Sequence, residues 1–177
     1  DSRAQAVGTR VEVDVSIAND ATGHHIPTDS PLRQLILLVE ADDRQGGALT
    51  LVEGSRIPSW GGVGDPADGY YAGIPGEIYA KVLEEFWTGI FPTAAYWRMT
   101  RIRSDNRIAA FETRKSRYIF EAADALVAVV RVRLIFRRAF IELMDQKGWL
   151  VPDVLMAEER HTVRLDRSTG RGRLLRP

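Results

Sequence analysis

Imidazole is the side chain here with the widest chemical reach, and most of it sits in one place. His24 and His25 stand side by side in the stretch N-D-A-T-G-H-H-I-P-T-D-S-P-L-R, residues 19–33, and His161 is the third and last histidine of the 177-residue chain. In a loop, neighbouring side chains diverge, so one histidine can reach a metal while the other does not, and a single imidazole is a complete axial ligand for a haem iron. A zinc ion asks for about four donors, which Asp20, Asp29 or the distant His161 would have to complete. The same residues also fit a plain structural use, one ring bonded to the loop backbone and the other solvated. Spacing alone leaves these readings open.

Other candidates are weaker. His161 alternates with Val163 and Leu165, the placement of a core histidine with a satisfied hydrogen bond. Asp105 and Arg107 flank Asn106 in the turn S-D-N-R. There the aspartate can accept backbone N–H bonds and the arginine can clamp a carboxylate such as Asp29; an anion or calcium site is the alternative, short of carboxylates. Trp60, Tyr70 and Tyr71 offer a sugar-stacking platform or an interface anchor, or simply close a loop over the edge of the fold. Arg131, Arg133, Arg137 and Arg138 make a basic stripe without the interleaved aromatics that would stack bases, so nucleic acid is not expected. Ser30 lies near the histidines, but no G-x-S-x-G elbow, Walker loop, H-E-x-x-H pair or G-x-G-x-x-G turn is present, and no residue is assigned a catalytic role.

Composition narrows the context. Lysine plus arginine, 24, equals aspartate plus glutamate, 24, so net charge recommends neither a polyanion nor an anionic membrane as partner. No apolar run approaches the ~18 residues of a spanning helix, and the opening D-S-R-A-Q-A-V-G is not the apolar core of a signal peptide. With no cysteine, this chain has no disulfide, no thiolate ligand and no C-x-x-C-H through which haem could be attached covalently.

The elements that must position these residues read mostly as strands. Val11, Val13, Val15 and Ile17 alternate with Arg10, Glu12, Asp14 and Ser16, the period of a half-buried strand. Leu35 to Val39 is a continuous apolar run, expected at the centre of a sheet. It ends in A-D-D-R-Q-G-G, a hairpin turn from which residues 48–52 would return as its partner. Residues 54–76, rich in glycine and proline, read as a long surface loop. Residues 78–86 fit a helix through Ile78, Val82 and Phe86 or a strand through Ile78, Ala80 and Val82, the strand being preferred; further strands are expected over 96–103 and 116–121, with a turn at 104–107. In the longest strand Leu126, Ala128, Val130, Val132, Leu134 and Phe136 share a face opposite Arg131, Arg133 and Arg137. The period then changes, Phe136, Phe140, Leu143 and Met144 marking a helix stopped by Gly148, and a last strand follows over 161–165. The fold class expected is mainly β: an immunoglobulin-like antiparallel β-sandwich with one late α-helix. It forms a single domain over 1–165 with a frayed or partner-binding tail over 166–177.

The stretch G-H-H-I-P-T-D-S-P-L-R resembles the N-x-x-x-G-H-x-x-P-T-G-x-P-x-R pattern in the β-rich C-terminal portion of many bacterial multihaem c-type cytochromes, with Asn19 in the asparagine position. Three later stretches are similar and in the same order: P-G-E-I-Y-A-K-V-L at 75–83, Y-W-R-M-T-R-I-R-S-D-N-R-I at 96–108 and R-L-I-F-R-R-A-F at 133–140. Asp29 stands where the family has glycine, and Asn106 where it often has threonine. Both lie in turns, so altered local hydrogen bonding within an unchanged fold is expected.

The resemblance implies a haem-free β-module, extracytoplasmic (periplasmic or at the cell surface) and non-catalytic. It would dock on a haem-bearing c-type cytochrome protein or domain through residues 19–33 and 54–76. From the residues themselves, Pro27 and Pro31 stiffen the loop, Gly23 gives it one permissive turn before His24, and Thr28, Asp29 and Arg33, with Asp105 and Arg107, structure it. The resemblance adds Asn19 to these and implies that His24 either ligates the iron of a haem held by the partner or fixes the loop. The alternative is an independent domain binding a divalent metal through His24 and His25, or a carbohydrate through the aromatic loop.

Overall fold

The computed structural model describes residues 1–122 and 125–165; the tail expected over 166–177 lies outside them. In chain order the described elements are β1 (Ser2–Val7), β2 (Arg10–Ala18), β3 (Gln34–Asp43), β4 (Thr50–Glu53), β5 (Gly76–Tyr79), β6 (Lys81–Glu85), β7 (Thr100–Asp105), β8 (Thr113–Glu121), β9 (Val127–Arg137), α1 (Ile141–Lys147) and β10 (Val154–Arg164). They form the antiparallel β-sandwich that the alternation predicts. One sheet runs β1-β2-β8-β4 and the other β10-β9-β3-β5, while β6 and β7 make a separate two-stranded ribbon.

The core follows from the period of two. Val11, Val13 and Val15 of β2, with Tyr118 and Phe120 of β8, face Leu35, Leu37 and Val39 of β3 and Val130 and Val132 of β9 between the sheets. The other face of β3 is apolar too: Ile36 and Leu38 pack with Ile78, Ile135, Ile57 and Tyr71 in a second cluster beneath residues 54–76. That is why β3 reads as an unbroken apolar run. In α1, Leu143 and Met144 join Ala139 and Phe140 in a third, smaller cluster. Gly148, left-handed at φ 62°, ends the helix by donating to the carbonyls of Asp145 and Met144.

Several expectations change. The turn after β3 forms, with Asp43 accepting from the backbone N–H groups of Gln45 and Gly47 at 2.8 Å each. The returning chain keeps only the Asp42–Ala48 bridge, then crosses over, and β4 pairs with β8 in the opposite sheet. Residues 54–76 are no mere surface loop: two short 3₁₀ turns, Ser59–Gly61 and Pro66–Asp68, fold them onto β3 and bury Ile57 and Tyr71. The strand expected from residue 96 begins only at Thr100, and Leu126 lies outside β9, exposed. β10 starts well before His161, and β1, which makes no strong alternation, pairs along β2.

Candidate functional site

The loop between β2 and β3 is tied down from below. Asn19, 2 % exposed, donates its carboxamide N–H groups to the carbonyls of His24 (2.8 Å), Ala109 (3.0 Å) and Ile108 (3.2 Å), and its Oδ1 accepts from the Thr22 hydroxyl at 2.5 Å. The backbone N–H groups of Ile26 and Ile108 each donate to the other's carbonyl at 2.9 Å. The Asn19 backbone adds two more bonds, its N–H donating to the Glu112 carbonyl at 2.9 Å and its carbonyl accepting from the Phe111 N–H at 2.8 Å. Pro27 is buried. The left-handed residue of the loop is Asp29, φ 69°, and not Gly23, whose φ is not positive and whose Cβ position is open. Asp29 therefore takes a conformation that glycine adopts freely, in the position where the cytochrome pattern has glycine. Arg33 pairs with it at 3.0 Å and reaches the Thr28 carbonyl at 3.5 Å.

Above this fixed backbone both histidine side chains are exposed. His24 Nδ1 lies 3.2 Å from the carbonyl of His25. With the proton on Nδ1 donated there, Nε2 carries the bare lone pair of an exposed ring, the tautomer by which a ligand histidine is usually oriented. Among the described residues no group of three or more His, Asp or Glu is gathered for a metal. His161 bonds at the β1–β10 seam and not to the loop, and it is not a core residue. It is half-buried on β10, with Nε2 2.7 Å from Ser2 Oγ, while Ser2 Oγ donates to Glu159 at 2.5 Å. The carboxylate therefore engages the serine and not the far ring nitrogen, which is not the order of a hydrolytic triad. Ser30 faces the Tyr96 hydroxyl at 3.2 Å and no histidine.

Arg107 clamps Asp105, not Asp29, through Nε and Nη2 at 2.8 Å each, and its guanidinium holds the Asp105 carboxyl below the usual carboxylate range. With both oxygens so engaged, Asp105 is not open to calcium. The neighbouring Asn106 carboxamide accepts from Ala80 N–H (2.9 Å) and donates to the Ile78 carbonyl (2.8 Å), fastening this turn to the junction of β5 and β6.

The aromatic trio is divided. Tyr71 is buried, its hydroxyl on Asp153 at 3.3 Å, and cannot present a face to a partner. Tyr70 donates to Asp145 of α1 at 3.1 Å, which raises the phenol's pKa, and Trp60 packs against the cluster under the loop. Arg137, read with Arg131 and Arg133 as part of an outward stripe, is 1 % exposed: Nε and Nη2 bond Asp153 at 2.8 and 2.7 Å, and Nη2 also bonds the Gly69 carbonyl. Arg133 pairs with Glu40 at 2.7 Å and Arg131 lies 3.8 Å from Glu158.

Sequence reasoning missed the arm between β6 and β7. Residues 86–99 carry F-W-T-G-I and A-Y-W-R-M, and leave Trp87 80 % and Trp97 81 % exposed. The ribbon beneath is held by two buried glutamates. Glu84 accepts from Arg101 (2.8 Å) and Arg103 (3.0 Å); Glu85 accepts from Thr88 (2.7 Å), Arg98 (2.6 Å) and Thr93 (3.1 Å), and both carboxyls are held below their ordinary range by these bonds. Between the arm and α1 runs a groove of about 530 Å³ walled by Ile90, Tyr96, Trp97, Leu143 and Trp149, with Leu32 from the histidine loop. The aromatics Phe86, Trp87, Tyr96 and Trp97, all within twelve residues and breaking the strand period, were the available signal.

What these elements define is an antiparallel β-sandwich with one end built from a stiff histidine loop beside an aromatic arm. A solved structure shares that fold: a penta-haem cytochrome c552 from Thermochromatium tepidum, at TM-score 0.66 and 22 % sequence identity over 91 % of this chain. The chain spans 38 % of that cytochrome's length. No family model matches the sequence. No curated protein matches it either.

Proposed function

We propose that this chain is a haem-free, non-catalytic β-module of an extracytoplasmic multihaem electron-transfer system, docking on a haem-bearing c-type cytochrome protein or domain and offering His24 to an iron held there. The observation that carries the reading is the fold shared with a penta-haem cytochrome over 91 % of the chain, in agreement with the multihaem resemblance of residues 23–33. The geometry of His24 supports the ligand role: an exposed ring with one nitrogen on a backbone carbonyl, on a loop whose backbone needs little ordering. The independent metal- or sugar-binding reading draws less support, since no donor cluster accompanies the histidines among the described residues and Tyr71 is buried.

The test is a visible-absorption titration with a haem-c peptide that has one histidine ligand and an open sixth position. A low-spin spectrum that forms with the wild-type chain and His25→Ala but not with His24→Ala is the expected result. An unchanged spectrum, or a shift indifferent to His24→Ala, refutes the ligand role.

A further inference from the structure

The aromatic arm has no use in the fold that would account for its exposure. Trp87 and Trp97, four-fifths exposed, each present on the order of 200 Å² of largely apolar surface. Phe86 meets Trp87 edge to face at 4.9 Å, and Ile90, Tyr96 and Trp149, each roughly half exposed, flank Trp97 around the groove. The four around the groove, before Trp87 and Phe86 are counted, reach the upper part of the ~300–600 Å² of the largest apolar patch on an ordinary monomer and approach what one partner contributes to a small electron-transfer encounter, whose total is under about 1,200 Å².

The groove's charges balance. Glu85 is engaged by Arg98, Thr88 and Thr93, and Glu142 and Lys147 of α1 are one of each sign. The face is also continuous with the histidine loop, since Leu32 is part of the wall and Ser30 meets the Tyr96 hydroxyl at 3.2 Å.

We infer that this aromatic face is the docking surface for the exposed rim of a c-type haem on the partner, with Trp97 as its anchor. A haem rim is planar, apolar and, away from its propionates, uncharged, so it matches a neutral groove walled by indoles, and stacking it there leaves the adjacent loop free to reach toward the same partner. A charged peptide or a propionate-first contact would call for a groove of one sign. The inference rests on the chain being the partner of a haem protein, and it assigns the contact to residues separate from His24.

Separating the two roles needs the same haem-c peptide with its sixth position saturated by imidazole, so that His24 cannot ligate it. Binding is followed by quenching of tryptophan fluorescence and by equilibrium dialysis. The saturated peptide should bind, about tenfold or more weakly to Trp97→Ala and to Trp87→Ala, with Trp97→Phe recovering part of the loss and His24→Ala changing nothing. Both tryptophans are so exposed that their removal leaves the core intact.

No binding of the saturated peptide, or equal binding by wild type and both variants, overturns the docking surface even where the open peptide still ligates His24. A concentration-dependent dimer lost in Trp97→Ala, without binding of the saturated peptide, overturns it in favour of a second copy of the chain. Docking that survives while His24→Ala leaves the open-peptide spectrum unchanged removes the ligand role and keeps the surface.

Discussion

Replacing Asn19 should separate a hydrogen-bond knot from a merely well-packed polar residue. In Asn19→Ala the two carboxamide N–H donors vanish, but none of their three acceptors is orphaned. The His24 carbonyl keeps the Thr22 hydroxyl at 3.0 Å, Ile108 keeps the Ile26 N–H at 2.9 Å and Ala109 keeps the Glu112 N–H at 3.1 Å. The cost is then that of two or three net hydrogen bonds, about 2–3 kcal/mol, and not of several unsatisfied buried carbonyls.

Asn19→Asp is nearly isosteric, and it keeps the acceptor for Thr22, yet it turns the donor into an oxygen aimed at three carbonyl oxygens. A buried, unpaired carboxylate there should cost about 4 kcal/mol or more at pH 7, about 1–2 kcal/mol beyond the alanine, so the conservative change is the worse one by roughly five- to thirty-fold in the folding equilibrium. Burial against those carbonyls raises the new carboxyl's folded pKa above its unfolded ~3.9. The folded state then binds the proton more tightly, and the penalty grows as pH rises from about 4 toward the folded value and shrinks on acidification. Urea unfolding of the three proteins at pH 7 and pH 4.5 measures this directly. If Asn19→Asp is no less stable than Asn19→Ala at pH 7, or if the gap does not narrow at pH 4.5, the donor knot is not what holds the loop.

At Asp29, left-handed and paired only at the surface, Asp29→Gly should change stability by less than about 1 kcal/mol whereas Asp29→Val costs about 2 kcal/mol, read as melting temperatures. Gly76 has φ 156° and a Cβ there would run into the Leu37 carbonyl, so Gly76→Ala should lose more than about 2 kcal/mol in chemical denaturation while Gly73→Ala, left-handed but in open space, loses less. Glu84 and Glu85 have folded pKa values depressed by their hydrogen bonds, so their stabilisation is present in full above the ordinary value of 4.5 and is lost as pH falls through the lower folded values. Glu84→Gln combined with Glu85→Gln should lower stability at pH 7 and flatten its decline below pH 4.5, and an unchanged acid slope would rule out this contribution.

How far the sequence carried depended on whether a face met one neighbour or several. β2 alternates against a single core, and its inward residues were legible one by one; along β9 the inward face was legible from Ala128 on, while Leu126 falls outside the strand and Ile135 packs in the second cluster on the other face. Arg137 obeys the same alternation and points outward with Arg131 and Arg133, yet it is buried, because residues 54–76 fold over that end of the outer face. Periodicity says which way a side chain points and nothing of which loop will cover it. The crossover of β4 was hidden for a related reason: the turn chemistry at Asp43 is local and was readable, while the choice of sheet for the returning strand is set by β8, some seventy residues later. β1 and the first half of β10 are edge or seam strands whose exposed faces dilute the alternation, and β10 also shifts register between Leu155 and Ala157. At the site, the histidines announced themselves by type. Asn19 did so only through the resemblance, since one buried asparagine makes no periodic signal, and the aromatic arm was passed over for the glycine-rich loop, whose Tyr71 is buried and whose Tyr70 is bonded to α1.

The two halves of this end face are built on opposite principles, and the difference bears on what they can do. The histidine loop has a buried asparagine, paired backbone bonds to Ile108 and a buried proline beneath two exposed rings, so a group delivered from it arrives with its backbone entropy already lost. The arm is anchored at its base by Glu84 and Glu85 but presents its tryptophans to water, where they gain free energy only when something apolar covers them. On the proposed docking, a stiff donor beside a broad, undirected apolar face would divide recognition sensibly: the face would supply most of the affinity and tolerate small changes of pose, and the loop would set one atom's position. On that division, truncating Trp97 should weaken docking far more than truncating His24, and truncating His24 should change the spectrum of a bound haem far more than its occupancy.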